Sequence, residues 1–326
     1  QRLRRSEIWL VDINEPGLET MTRLAELINR EWGSEMHIKS TTQRREALPD
    51  ADFVVVSVQV GPREEVWEKD WRIPLKHGVR QPYAENGGPG SFAHTARNLP
   101  LLIDIARDME DLCPEAWYLN FVNPMIRLTW AVQRYTNIKV VGLCHQLLWG
   151  YAMAMALVAD RYGVEIPPGF NLHTNYHNKP YLGPVMDAGY KYLDIKACGI
   201  NHFSWAYDIR DRSTGEDLYP EIRQRWLNGY RRDFEPLSLD LFEIFGLMPT
   251  PGDSHLCEFL PWTHDPITKP WELYNLELQS FDGNRKRRAD RLQQAKDIVA
   301  GKRSVEELRG LRSEGIPEII EGITFN

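Results

Sequence analysis

The stretch "DFVVVSVQV", residues 52–60, constrains the fold more than any other part of the chain. Its apolar residues run together instead of alternating with polar ones. A strand of that kind is covered on both faces, and such strands belong to parallel sheets in α/β proteins. The segments around it fit this reading. "EIWLVDI" reads as a strand, and "GLETMTRLAELINREW" has helical spacing, with Met21, Leu24, Leu27 and Ile28 on one face. "LPLLIDIARDMEDL" reads as a helix, "AWYLNFV" as a strand, "MIRLTWAVQRYT" as a helix, "IKVVGL" as a strand and "WGYAMAMALVADRYG" as a helix. This alternation predicts a doubly wound parallel sheet. The Gly- and Pro-rich stretch from Gly61 to Gly90 reads as an active-site loop region. After about residue 190 the pattern changes to strands joined by a loop, "YKYLDIKACGINHFSWAYDIRD", and then to charged helices. The expected organisation is an α/β unit over 1–190 and a mixed α+β unit over 191–326.

Bulk properties exclude several classes. With 326 residues the chain is long enough to bury a sizeable core. The formal net charge of -7 and a single short basic run, "RKRR" at 285–288, argue against a nucleic-acid partner. The four cysteines, Cys113, Cys144, Cys198 and Cys257, show no C-x-x-C spacing, which fits a reducing compartment. The run "WGYAMAMALVA" is too short to span a bilayer, and "QRLRR" before a strand is no signal peptide. A cytoplasmic protein without a membrane partner is expected.

Ligands of open parallel sheets bind beyond the carboxyl ends of the strands. Asp12 follows the first strand, Gly61 the next, Asn123-Pro124 the "AWYLNFV" strand, and Cys144-His145 the "IKVVGL" strand. Asp12 reads either as the ribose-binding acid of a dinucleotide site or as an acid capping a turn. The glycine fingerprint lies about 20 residues before such an acid, which here falls before Gln1. Cys144 and His202, 58 residues apart, are a donor pair suited to a borderline divalent metal, or else a core thiol and a loop imidazole. In "PGDSHLCEF" the cluster Asp253, His255, Cys257 and Glu258 offers a general base, a metal site or an Asx turn. Arg97, set just before the expected helix, would bind a carboxylate or phosphate bidentately, or is a surface residue; His94 is a similar case.

Taken together, "GPGSFAHTARNLPLLIDIARDMEDLCPEAWYLNFVNPM", "KVVGLCHQ", "GINHFSW" and "PGDSHLCEF" resemble glycoside hydrolase family 4, from about residue 6 to the C-terminus. The resemblance implies a Rossmann-like NAD-binding unit followed by a substrate- and metal-binding unit. It also implies a glycosidase that uses NAD and a divalent metal, usually manganese. The implied chemistry is oxidation at C3 of the sugar, loss of the C2 proton, elimination of the leaving group, addition of water and re-reduction. The family is a known exception to hydrolysis by two carboxylates. By the same resemblance Cys144 and His202 are metal ligands, and His202, Asn123 and Arg97 lie at the substrate. Asn123 and Asp12 are cofactor contacts, His145 is the general acid, and Asp253 is a carboxylate base. The His after the cysteine resembles members acting on non-phosphorylated α-glycosides, with α-galacturonides first and α-galactosides or α-glucosides as alternatives. A homo-oligomer, dimer or tetramer, is also implied. The family's opening glycine loop and its closing segment are absent here, so the chain is expected to be cut at both ends. Two other readings stay open: an NAD-dependent 2-hydroxy-acid dehydrogenase on the same architecture, and a non-catalytic sugar- or partner-binding protein.

Overall fold

The computed structural model describes residues 5–166, 179–232 and 234–311. The expectations about the two ends of the chain lie outside these residues. The first part is an α/β array, as expected: β1 (Glu7–Val11), α1 (Glu15–Glu31), β2 (His37–Thr41), α2 (Arg44–Ala47), β3 (Phe53–Val56), α3 (Arg63–Lys76), α4 (Gly88–Leu112), β4 (Trp117–Asn120), α5 (Met125–Tyr135), β5 (Lys139–Gly142) and α6 (Gln146–Val158). The strands form two parallel sets, β1-β2 and β3-β4-β5, with Asn120 opposite Gly142 at the end of the second. Residues that follow β4 and β5 therefore leave the sheet side by side.

Two local expectations are corrected. The stretch 61–90 is mostly helix, because α3 occupies Arg63–Lys76. Its charges hid the pattern: Glu64 and Glu65 favour the first turn, while Trp67, Asp70 and Pro74 make the buried stripe. Only 77–87 connects α3 to α4. Helix α4 starts at Gly88 and runs through Pro100, so Arg97 lies inside a helix and not before one.

The second part contains α7 (Lys179–Tyr192), the antiparallel strands β6 (Leu193–Ile200) and β7 (Phe203–Asp211), α8 (Tyr219–Leu227), α9 (Pro236–Phe245), β8 (Met248–Pro249), α10 (Asp253–Leu256), α11 (Pro270–Leu273) and α12 (Phe281–Val299). One core, around Leu102, Met109, Tyr118, Leu128 and Val132, lies against β3-β4-β5. A second joins Met153, Met155 and Leu157 of α6 to Val185, Leu193, Ile209, Trp226 and Phe242. Helix α6 is apolar all round, as a helix sunk in a core must be. Its burial groups it with residues 185–248, so one packed core ends and the next begins near residue 145.

The basic run on α12 faces acids on α3. Arg285 Nη1 lies 2.7 Å from Glu68 Oε2, and Arg288 Nε lies 2.6 Å from Glu64 Oε1. Among the described residues no helix is long and apolar enough to cross a membrane.

Candidate active site

Cys144 follows the carboxyl end of β5, and His145 stands at the N-cap position of α6. His202 sits in the turn between β6 and β7, after a cis Asn201-His202 peptide. The fold brings the two together: Cys144 Sγ lies 3.1 Å from His202 Nε2. His202 is buried, and burial, with the nearby His145, lowers its pKa to about 3. The imidazole is therefore neutral and able to bind a metal. Its Nδ1 and the Oδ1 of Asn201 have no hydrogen-bond partner among the described residues. Burial raises the Cys144 thiol, while the Asn201 amide and the backbone N–H groups of Gln146 and His145 favour the thiolate. A thiol beside a neutral imidazole, with orphaned polar atoms around them, fits a borderline divalent ion. Among the described residues no group of three or more His, Cys, Asp or Glu side chains forms a ready-made cage.

His145 is lowered by burial, and the charge of Glu85 opposes that. Glu85 lies in the 77–87 segment, where Arg63 Nη2 is 3.6 Å from its Oε1. Two rings extend the site. His255 packs on His202 with centroids 4.4 Å apart, and Tyr83 stacks on His255 at 4.8 Å. Asn123, half-buried, follows β4 at a cis Asn123-Pro124 peptide, beside the exit of β5.

The other expected residues have different surroundings. Asp253 is buried at the start of α10, and its carboxylate caps α9. It accepts from Leu237 N and Ser238 N at 2.8 Å each and from Ser238 Oγ at 2.6 Å. With both oxygens so engaged, Asp253 is built as a helix cap. The residue that the resemblance implies as the carboxylate base thus also holds the start of α9, and His255, two residues on, is the side chain that packs against His202. Arg97 donates to Asp70 through both Nη atoms, at 2.7 and 2.5 Å, and His94 Nδ1 lies 3.4 Å from the same carboxylate. Asp12 is exposed at the end of β1, where its Oδ1 accepts from Asn14 N at 2.8 Å. It lies outside the hydrogen-bond network around Cys144.

Glu258 stood in the quoted cluster without a role, and the structure supplies one. It is buried and accepts from the backbone N–H of Tyr83, Glu85, Asn86 and Gly87 at 2.8–3.4 Å. It thereby ties the segment that carries Glu85 to the C-terminal part. Glu85, Tyr83 and Gln146 were missed because their importance lies in long-range contacts; only the glycines of "ENGGPG" hinted at a tight approach.

This is a polar cluster at the carboxyl edge of a parallel sheet, completed by a hairpin turn. Comparison with known proteins agrees. A model of family 4 glycosyl hydrolases matches residues 1–160, and the model of that family's C-terminal domain matches 197–326. The chain belongs to glycosyl hydrolase family 4. It is 35% identical to an α-glucosidase of Erwinia rhapontici over 68% of this chain and 43% of that one. It is 31% identical to a Bacillus subtilis α-galactosidase over 80% and 54%, and 27% identical to a Bacillus subtilis α-galacturonidase over 86% and 60%. The chain thus spans about half the length of the curated relatives it matches. A solved Bacillus subtilis structure described as a glucosidase superposes with TM-score 0.74 at 25% identity, covering 95% of this chain and 68% of that one. A 6-phospho-α-glucosidase from gut microorganisms, solved with NAD and Mn2+, superposes with TM-score 0.66 at 19% identity, covering 90% and 62%; at that identity the likeness concerns the fold.

Proposed function

We propose that the protein hydrolyses α-glycosides of non-phosphorylated sugars with the help of NAD and a divalent metal, manganese first, and that α-galacturonides are preferred to α-galactosides and α-glucosides. The observation that carries this reading is the 3.1 Å approach of Cys144 Sγ to His202 Nε2, with His145 next in the chain. Relatives named for all three sugars stand behind the α-glycoside class.

When bound, NAD supplies a reversible hydride acceptor for C3 of the sugar, and the metal supplies a Lewis acid beside the carbon that loses its proton. Cys144 and His202 would hold the metal. The His145 ring carries a proton toward the leaving oxygen. Burial works against that protonated form and Glu85 works for it. Asn123 contacts sugar and cofactor from the neighbouring strand end. Arg97, held by Asp70, keeps its remaining donors for the substrate. Asp12 retains Oδ2 for a ribose hydroxyl while Oδ1 holds the turn. The reading includes a dimer or tetramer, which light scattering measures. A dehydrogenase reading leaves the Cys144–His202 pair without work.

The test is release of 4-nitrophenol from the α-galacturonide, α-galactoside and α-glucoside by protein supplied with NAD and Mn2+. Hydrolysis that needs both additions and stops with a chelator is expected, fastest on the uronide. Undiminished hydrolysis by protein stripped of NAD and metal would contradict the proposal.

A further inference from the structure

We infer that Gln146 is the positioning residue that sets the distance between Cys144 and His202, an inference that rests on the metal-site reading above. The two ligands come from different layers. Cys144 is fixed by the end of β5, whereas His202 rides on the β6–β7 turn, whose backbone belongs to the antiparallel sheet. Nothing in either sheet's ladder sets their separation. Gln146, the first residue of α6, spans the gap with both ends of its amide. Its Oε1 accepts from Asn201 Nδ2 at 3.1 Å, and its Nε2 donates to Ser204 Oγ. These partners flank His202 in sequence on either side.

The far end of the clamp is anchored. Ser204 is buried, and its Oγ lies 2.6 Å from Thr250 Oγ1, while Thr250 N donates to Ser204 O at 3.0 Å. The same Asn201 amide that Gln146 holds also hydrogen-bonds Cys144. One glutamine therefore orients the imidazole-bearing turn and the amide that serves the sulfur. Outer-shell partners of this kind fix ligand direction, and losing one costs roughly 10–100-fold in metal affinity.

Co2+ alone is the probe, because a thiolate ligand gives it an intense near-ultraviolet charge-transfer band. Titration of the wild-type protein with Co2+ is expected to produce that band and saturate. Gln146→Leu keeps an apolar side chain at the position, one atom shorter, but neither hydrogen bond, and is expected to raise the dissociation constant about tenfold or more with a weakened band. Ser204→Ala removes one end only and is expected to fall between the two. Circular dichroism and thermal melting of the metal-free proteins register whether each variant folds. If Gln146→Leu proves unfolded, Ser204→Ala decides. Wild-type affinity and band intensity in the folded variant overturn the inference while leaving the metal site standing. Absence of the band in the wild type overturns the metal site itself and the inference with it.

Discussion

Cys144 and His202 illustrate how little a single residue declares. Each has a bland alternative, a buried thiol or a loop imidazole, and only their approach to 3.1 Å makes them a pair. If they hold the metal, Cys144→Ser and His202→Ala should each cost more in Mn2+ affinity than the roughly 10–100-fold typical of an outer partner. Calorimetric titration checks this, and unchanged affinity in either variant counts against the assignment. Arg97 teaches the opposite lesson. A surface or ligand-binding arginine was legible in "HTARNLP", but its partner Asp70 was not, because the segment holding Asp70 reads as loop. Removing the arginine leaves a carboxylate whose side chain is only 5% exposed with His94 alone beside it, whereas removing Asp70 leaves a guanidinium that is 25% exposed and can reach water. Arg97→Ala should therefore destabilise by about 3 kcal/mol and Asp70→Ala by less, as read from urea unfolding. Equal losses would contradict the burial argument.

Among the elements, the connection 77–87 is where reading from the sequence ran out. Its glycines were visible; the carboxylate that organises it lies some 170 residues later in the chain. A Cβ at Gly87 would stand 2.1 Å from the carbonyl oxygen of Glu258, a backbone atom that cannot swing aside. Gly87→Ala should cost about 1–3 kcal/mol as an overpacked contact, and calorimetric melting would show it. Burial, helped by the charge of Glu85, raises the Glu258 carboxyl from its ordinary 4.5 to about 7. Between those values the folded protein keeps a proton that the unfolded chain has released. The stability this group contributes is thus present below about 4.5 and is lost as pH rises toward about 7. The advantage of wild type over Glu258→Gln in melting temperature should shrink from about pH 5 to about pH 8. An advantage that stays constant, or grows with pH, would refute the assignment. Strands and helices with clean periodicity were legible throughout the α/β part. Helix α3 was not, since its buried stripe of Trp67, Asp70 and Pro74 is embedded in charge.

For the whole molecule, the packing of α12 on α3 gives the basic run acidic partners within the chain. Arg285 and Arg288 are spent on Glu68 and Glu64. The α/β alternation and the later antiparallel hairpin were readable in advance, but the division of cores near residue 145 was not. Helix α6 follows a parallel strand in sequence and packs with what comes after it. That placement matters for function: Cys144 and His145 immediately precede α6, whose first residue, Gln146, bonds both sides of the His202 turn. The central claim is that this junction serves an oxidation and elimination route to hydrolysis. The most direct test is hydrolysis of a 4-nitrophenyl α-galacturonide or α-galactoside in heavy water, with NAD and Mn2+, followed by mass spectrometry and NMR of the released sugar. The account predicts deuterium at C2; hydrolysis that leaves C2 carrying only its original hydrogen would contradict it.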